Sequence, residues 1–210
     1  MGGMEPSSLR VYGGVDGDHR KAERRVRFLE AGLDLLGAPD ADATLSVRGV
    51  CKRAGLAARY FYESFADREE LTAAVYDQVI DDLATGALAA VTAAPHDAAA
   101  KVRAGLGTVI GVVGDDPRRG RLLFSTRAGA VLAERRQRST LLFAGLLGGQ
   151  AKDFYGLGDS ADLDVLSQFA VGGLAQTLTA WLDGALRIDR DDLVEHCTRI
   201  FLAIGAPVRD

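Results

Sequence analysis

Apolar positions along this chain recur at intervals of three and four, the period of one helix face, and no segment sustains the alternation that marks a strand. From Arg20 onward Val26, Leu29, Leu33 and Leu36 keep that period, with Arg20, Lys21, Arg24, Arg25 and Arg27 crowding its start. "GAPDADA" stops it, because Pro39 and its neighbours favour a turn. Ser46 can cap a second helix that turns Val47, Val50, Cys51 and Ala54 inward, and Gly55 ends it. A short third helix then runs through Ala57, Arg59, Tyr60 and Phe61. In "FADREEL" Asp67 caps a fourth, with Glu69 and Glu70 in its favourable first turn, and that helix reaches about Ala94 before Pro95.

The rest reads as further helices between punctuation: "DAAAKVRAGLGTVIGVV", one short and one long helix in "DPRRGRLLFSTRAGAVLAERRQRSTLLFAGLLGGQAKDFYG", then "DLDVLSQFAVGGLAQTLTAWLDG" and "DRDDLVEHCTRIFLAIG". The last two begin after aspartates and end at glycine, the usual asymmetry of caps. An all-α protein of about nine helices follows. Residues 1–18, with five glycines and no sustained period, read as a flexible tail.

Composition changes this picture little and charge changes it locally. The chain has 210 residues and a net charge of -4, so nothing global proposes a polyanion partner. Between His19 and Glu63, however, nine Lys or Arg stand against six acids, leaving that segment at +3. The two cysteines lie far apart with no CxxC, which argues against a zinc ribbon and fits a reducing compartment. The first residues lack the basic-then-apolar pattern of a secretory signal, and no window approaches the roughly 18 uninterrupted apolar residues of a membrane span. The expected location is the cytoplasm, with no membrane partner.

One stretch stands out. "GLAARYFYESF" places Tyr60, Phe61 and Tyr62 side by side in a chain with only 7% aromatics. Three consecutive helical residues point in three directions, so at least one looks outward. Helix, glycine turn and helix over residues 46–61, behind a basic amphipathic helix, is the arrangement in which a second helix is presented to a DNA major groove. Arg59 can bond guanine or clamp phosphate, and Tyr60 and Tyr62 can reach phosphates or pack a thymine methyl. Ser46 and Arg48 can hold a phosphate at the start of the second helix. Phe61 and Phe65 belong to the core.

These residues resemble the TetR family of one-component bacterial regulators. Its N-terminal signature joins "xxIA" to "AGVSxxxLYxxFxxKexLl", and "SVRGVCKRAGLAARYFYESFADREEL" follows it in register over about Arg24 to Tyr76. Val50-Cys51 stands for Ile-Ala, Ala54-Gly55-Leu56-Ala57 for the turn, Phe61-Tyr62 for Leu-Tyr, and Arg68 for the usual Lys. Ala57 departs from the family, which has Ser or Thr there.

The resemblance implies a DNA-binding segment at 19–66 and an effector-binding and dimerisation segment at 67–210. It implies duplex contacts at Ser46, Arg48, Ala57, Ala58, Arg59, Tyr60, Tyr62 and Arg68. It also implies a homodimer built on Phe169, Gly172, Gly173, Gln176 and Ala180 of one helix and Leu193, Cys197, Ile200, Phe201 and Ile204 of the next. Candidate effector contacts, by residue type and helix, are Phe124, Arg127, Phe143, Tyr155, Gln168 and Trp181. The function expected is a repressor that binds a near-palindromic double-stranded operator as a dimer and is released by a small-molecule effector.

No enzyme motif accompanies this. His19, His96 and His196 are scattered, no nucleophile-base pair or HExxH appears, and "EHC" at 195–197 puts neighbours on different helix faces. The chain is expected to be no enzyme and to need no cofactor or metal. The competing reading is a helical small-molecule-binding or enzymatic protein of the same fold that leaves DNA alone.

Overall fold

The computed structural model describes residues 14–39, 45–124 and 130–205. Helices fill nearly all of them: α1 Gly14–Leu36, α2 Val47–Ala54, α3 Ala58–Tyr62, α4 Arg68–Ala93, α5 Ala98–Asp115, α6 Pro117–Phe124, α7 Ala130–Tyr155, α8 Ala161–Leu182 and α9 Arg190–Gly205. No strand occurs among the described residues. The helix α1 begins six residues before Arg20, so 14–18 are helical where a tail was expected; residues 1–13 lie outside the described part.

Local chemistry sets the boundaries. Ser46 Oγ accepts the Gly49 amide at 3.1 Å, and the Asp67 and Asp97 carboxylates accept the Glu70 and Ala100 amides at 2.8 Å, satisfying donors that a helix start leaves free. The Glu70 carboxylate reaches back to the Ala66 amide at 2.6 Å, so the start of α4 is held in both directions. At the end of α2, Gly55 sits at φ 65 and ψ 36, and Leu56 donates to the Cys51 carbonyl at 3.1 Å. That left-handed turn suits a residue without a Cβ and fixes the angle at which α3 leaves α2.

Helices α1 to α3 pack around Phe28, Phe61 and Phe65, all nearly inaccessible. Phe28 meets Phe61 edge-on at 5.6 Å and Phe65 at 6.4 Å. Val26, assigned to the apolar stripe of α1, is instead 64% exposed, because the inward face of α1 carries Phe28, Ala31 and Leu33. The helix α4 belongs to both halves of the molecule. Its first turns carry Leu71 and Val75 against α1, where a Cβ on Gly32 would meet Val75 at 2.7 Å, and its later turns pack on α5 and α7. Beyond it α5 packs on α9 and α7 on α8. One continuous apolar core, from Phe28 to Leu193, joins the two halves.

Candidate functional site

Three arginines of α1 brace α2, α3 and the chain that follows α3. Arg24 lies over the Tyr60 ring, 4.3 Å from its centroid, and reaches Glu63 at 3.3 Å. Arg25 lies over Phe65 at 4.3 Å and donates to the Ser64 carbonyl at 2.8 Å. Arg27 donates to the Ala54 carbonyl at the end of α2, at 2.6 Å. Three of the five cations that crowd the start of α1 are therefore committed to holding the helix pair. The helical period places these arginines beside Phe28 on α1, a signal that was present in the sequence.

What α2 and α3 leave outside is short and polar. Ser46, Arg48, Ala57, Ala58, Arg59, Tyr62 and Arg68 are exposed, and Tyr62 is 62% accessible. Tyr60, expected to face outward, is half-buried against the core, with the Arg59 guanidinium 4.6 Å from its ring centre and Arg59 Nη2 donating to its hydroxyl at 2.6 Å. Tyr60 thus orients Arg59. Ala57 is the N-cap of α3, in extended conformation with no side-chain bond to the first turn. Arg48 and Arg59 are both exposed, and neither has a carboxylate partner among the described residues.

An ionic junction ties this unit to the rest. Arg118, at the start of α6, donates to Asp116 at 2.8 and 3.0 Å, to Glu30 at 2.6 Å, and to Asp34 of α1; Asp34 also takes Arg53 of α2 at 2.6 Å. Burial pushes the Asp34 carboxyl up, but the hydrogen bonds from Arg118 and Arg53 outweigh it and hold it below its ordinary value. Asp116 is held down chiefly by its bond from Arg118. The backbones touch here as well: a Cβ on Gly37 would come within 2.5 Å of the Arg118 carbonyl, and Arg121 donates to the Gly37 carbonyl.

The helices α4 to α8, with Phe201 of α9, line a cavity of about 560 Å³ with a largely aliphatic and aromatic wall, a size usual for small-molecule sites. Phe124, Phe143 and Tyr155 line it as expected. Gln168 and Trp181 do not. Gln168 is on the exposed face of α8, and Trp181 turns toward α5 and the chain before α9, where its indole N–H donates to the Ile188 carbonyl at 2.9 Å. Arg127 lies outside the described residues. The sequence reading missed Arg136, whose guanidinium donates to the Leu123 and Leu122 carbonyls at 2.7 and 2.9 Å, and the Tyr76–Ser139 hydroxyl pair at 2.8 Å. Burial lowers the basicity of Arg136 and raises the Tyr76 hydroxyl above its ordinary value.

The faces of α8 and α9 are split. Phe169, Gly172, Gly173 and Gln176 are exposed, with Val165 continuing the strip, and Ile200 is exposed on α9. Leu193 and Cys197, placed at a subunit interface from the sequence, are instead buried inside this chain against α5, and half-buried Phe201 lines the cavity. Ala180 and Ile204 are half-buried. Among the described residues no three His, Cys, Asp or Glu side chains gather as metal ligands, and no helix is long and apolar enough to cross a membrane.

No protein-family model and no curated protein matches the chain. Solved structures of similar shape include the fatty acid degradation regulator FadR from Bacillus halodurans, at a TM-score of 0.72 and 15% identity over 85% of this chain and 94% of that one. FadR from Bacillus subtilis in complex with stearoyl-CoA gives 0.70 at 13% identity, covering 84% and 96%. A TetR family transcription regulator from Marinobacter aquaeolei VT8 gives 0.64 at 22% identity, covering 89% and 97%. At these identities the likeness is one of fold, and the all-α fold of these regulators is the fold of this chain.

Proposed function

We propose that the chain is a ligand-responsive transcriptional repressor, with residues 19–66 as the DNA-reading segment and 67–210 as the effector-binding and dimerisation segment. The observation that carries this is the exposed edge of α2 and α3. Arg48, Arg59 and Tyr62 stand there on a helix pair that α1 holds from behind, so the edge is rigid before it meets a duplex. Preset geometry of this kind suits base and phosphate contacts, which tolerate little displacement. Ser46 and Arg68 flank the edge and Ala57 and Ala58 let the backbone of α3 approach closely. Support for the effector comes from the cavity and from a similar structure that is in complex with stearoyl-CoA. Support for two copies comes from the uncovered apolar strip of α8 and α9.

Selection of bound sequences from random duplex DNA tests the proposal. Wild-type protein is expected to enrich a near-palindrome, and Arg59→Ala and Tyr62→Ala to weaken binding to it by about 1–3 kcal/mol each, with Arg59→Ala relaxing sequence preference. No enriched palindrome for the wild type would overturn the reading.

A further inference from the structure

The cavity wall has an uneven charge inventory. Lys101 and Arg136 line it, and no aspartate or glutamate does. Both cap a helix end: the half-buried Lys101 donates to the Val91 carbonyl at 2.8 Å in the last turn of α4, and the half-buried Arg136 donates to the Leu123 and Leu122 carbonyls at 2.7 and 2.9 Å in the last turn of α6. Arg136 differs in its planar fork, which remains charged at any physiological pH, keeps three of five N–H donors without an acceptor among the described residues, and has no carboxylate paired with it there. Burying such a charge unpaired is costly, and an anion on the same wall would offset the cost. The Tyr76–Ser139 pair beside it adds hydroxyls within reach of the same spot.

The remaining wall asks for the other half of the ligand. From Tyr76 to Val91, both cavity-lining, α4 rises about 22 Å at ~1.5 Å per residue. Between them Ile80, Leu83, Ala87 and Leu88 present hydrocarbon alone. That run has room for an extended aliphatic chain of roughly 12 to 16 carbons, at ~1.3 Å per carbon in staggered form.

We infer that the cavity takes an aliphatic monocarboxylate, its carboxylate on Arg136 and its chain lying along α4 toward Val91. This ligand class rests on the effector-site reading above and narrows it. A neutral alcohol of the same length leaves the guanidinium charge unmatched, and an amine opposes it.

Isothermal titration with dodecanoate, dodecanol, dodecylamine and dodecanoyl-CoA below their micellar concentrations tests this. Dodecanoate is expected to bind about tenfold or more tighter than dodecanol, as a charge-assisted pair requires, with dodecylamine weaker than either. Arg136→Gln is expected to bring acid and alcohol within about threefold of each other, and Arg136→Lys to keep a preference for the acid. Equal binding of acid and alcohol by the wild type, binding of the CoA thioester without the acid, or no binding in the series would overturn the inference. So would loss of the acid preference in Lys101→Gln but not in Arg136→Gln. Should Arg136→Gln fail to fold, as circular dichroism would reveal, the wild-type acid-to-alcohol ratio decides alone. Duplex selection by the same preparation separates the two failures: intact selection without acid preference removes only the ligand class, and absent selection removes the regulator reading.

Discussion

At Ala57 a single methyl stands where a hydroxyl would complete the helix. Its backbone, at φ -72 and ψ 150, already has the extended geometry of an N-cap, and the first-turn amides of α3 receive no side-chain acceptor from it. Ala57→Ser is therefore expected to raise the stability of the folded chain by about 1 kcal/mol, read as a higher denaturation midpoint in urea at unchanged slope. An unchanged midpoint would mean that water caps α3 as well as the hydroxyl does. The neighbouring aromatics divide differently from their spacing: Phe61 fills the core, Tyr62 faces solvent, and Tyr60 turns halfway in beneath Arg24 and Arg59. Three consecutive positions on a helix guarantee three directions but not which direction carries an arginine, since Arg24 arrives from a different helix. Tyr60 is thus a positioning residue for Arg59, and the pair proposed to face the duplex is Arg59 and Tyr62.

Between elements, Asp34 carries an unusual number of connections: one carboxylate bonds Arg53 of α2 and Arg118 of α6, so a shift of α6 cannot occur without loading α2 through α1. In the folded chain its carboxyl is held below the ordinary 3.8, so the stability it contributes is fully present above that pH and is lost as pH falls through the lower folded value. Asp34→Asn is expected to cost about 1–2 kcal/mol at neutral pH, a range discounted for the partial exposure of both arginines. Urea titrations of wild type and variant should converge only below pH 3.8; convergence at higher pH would sink this account of the junction. The caps at Ser46 and Asp67 and the turn at Gly55 were legible in the sequence because each acts within three or four residues. Arg118 was not, because its partners Glu30 and Asp34 lie more than eighty positions away, and "DPRR" by itself describes only a helix start.

For the whole molecule the same distinction decides which surfaces are free. The stripes on α8 and α9 were both readable as apolar faces, yet periodicity does not say what covers a stripe. The α9 stripe through Leu193 and Cys197 is covered by α5 of the same chain, whereas Phe169 of α8 and Ile200 of α9 are 74% and 58% exposed. The cavity was less legible still, since its wall is the sum of faces from six helices whose crossing angles no local pattern fixes; hence Trp181 and Gln168 fell outside it and Arg136 went unnoticed. An apolar strip left in water is unfavourable, and a second copy placing the same strip against it buries both, a self-matching contact of two-fold symmetry. Such a pair would also present two copies of the α2–α3 edge, as a palindrome demands. Phe169→Asp combined with Ile200→Asp should therefore convert the protein to a monomer in sedimentation velocity. Neither residue belongs to the buried core, so thermal stability of the monomer fold should persist. Binding to a full palindrome should fall to the level of a half-site, while contact with that half-site stays unchanged. Dimers persisting in the double variant would place the interface on another face and leave the exposed strip for a different partner.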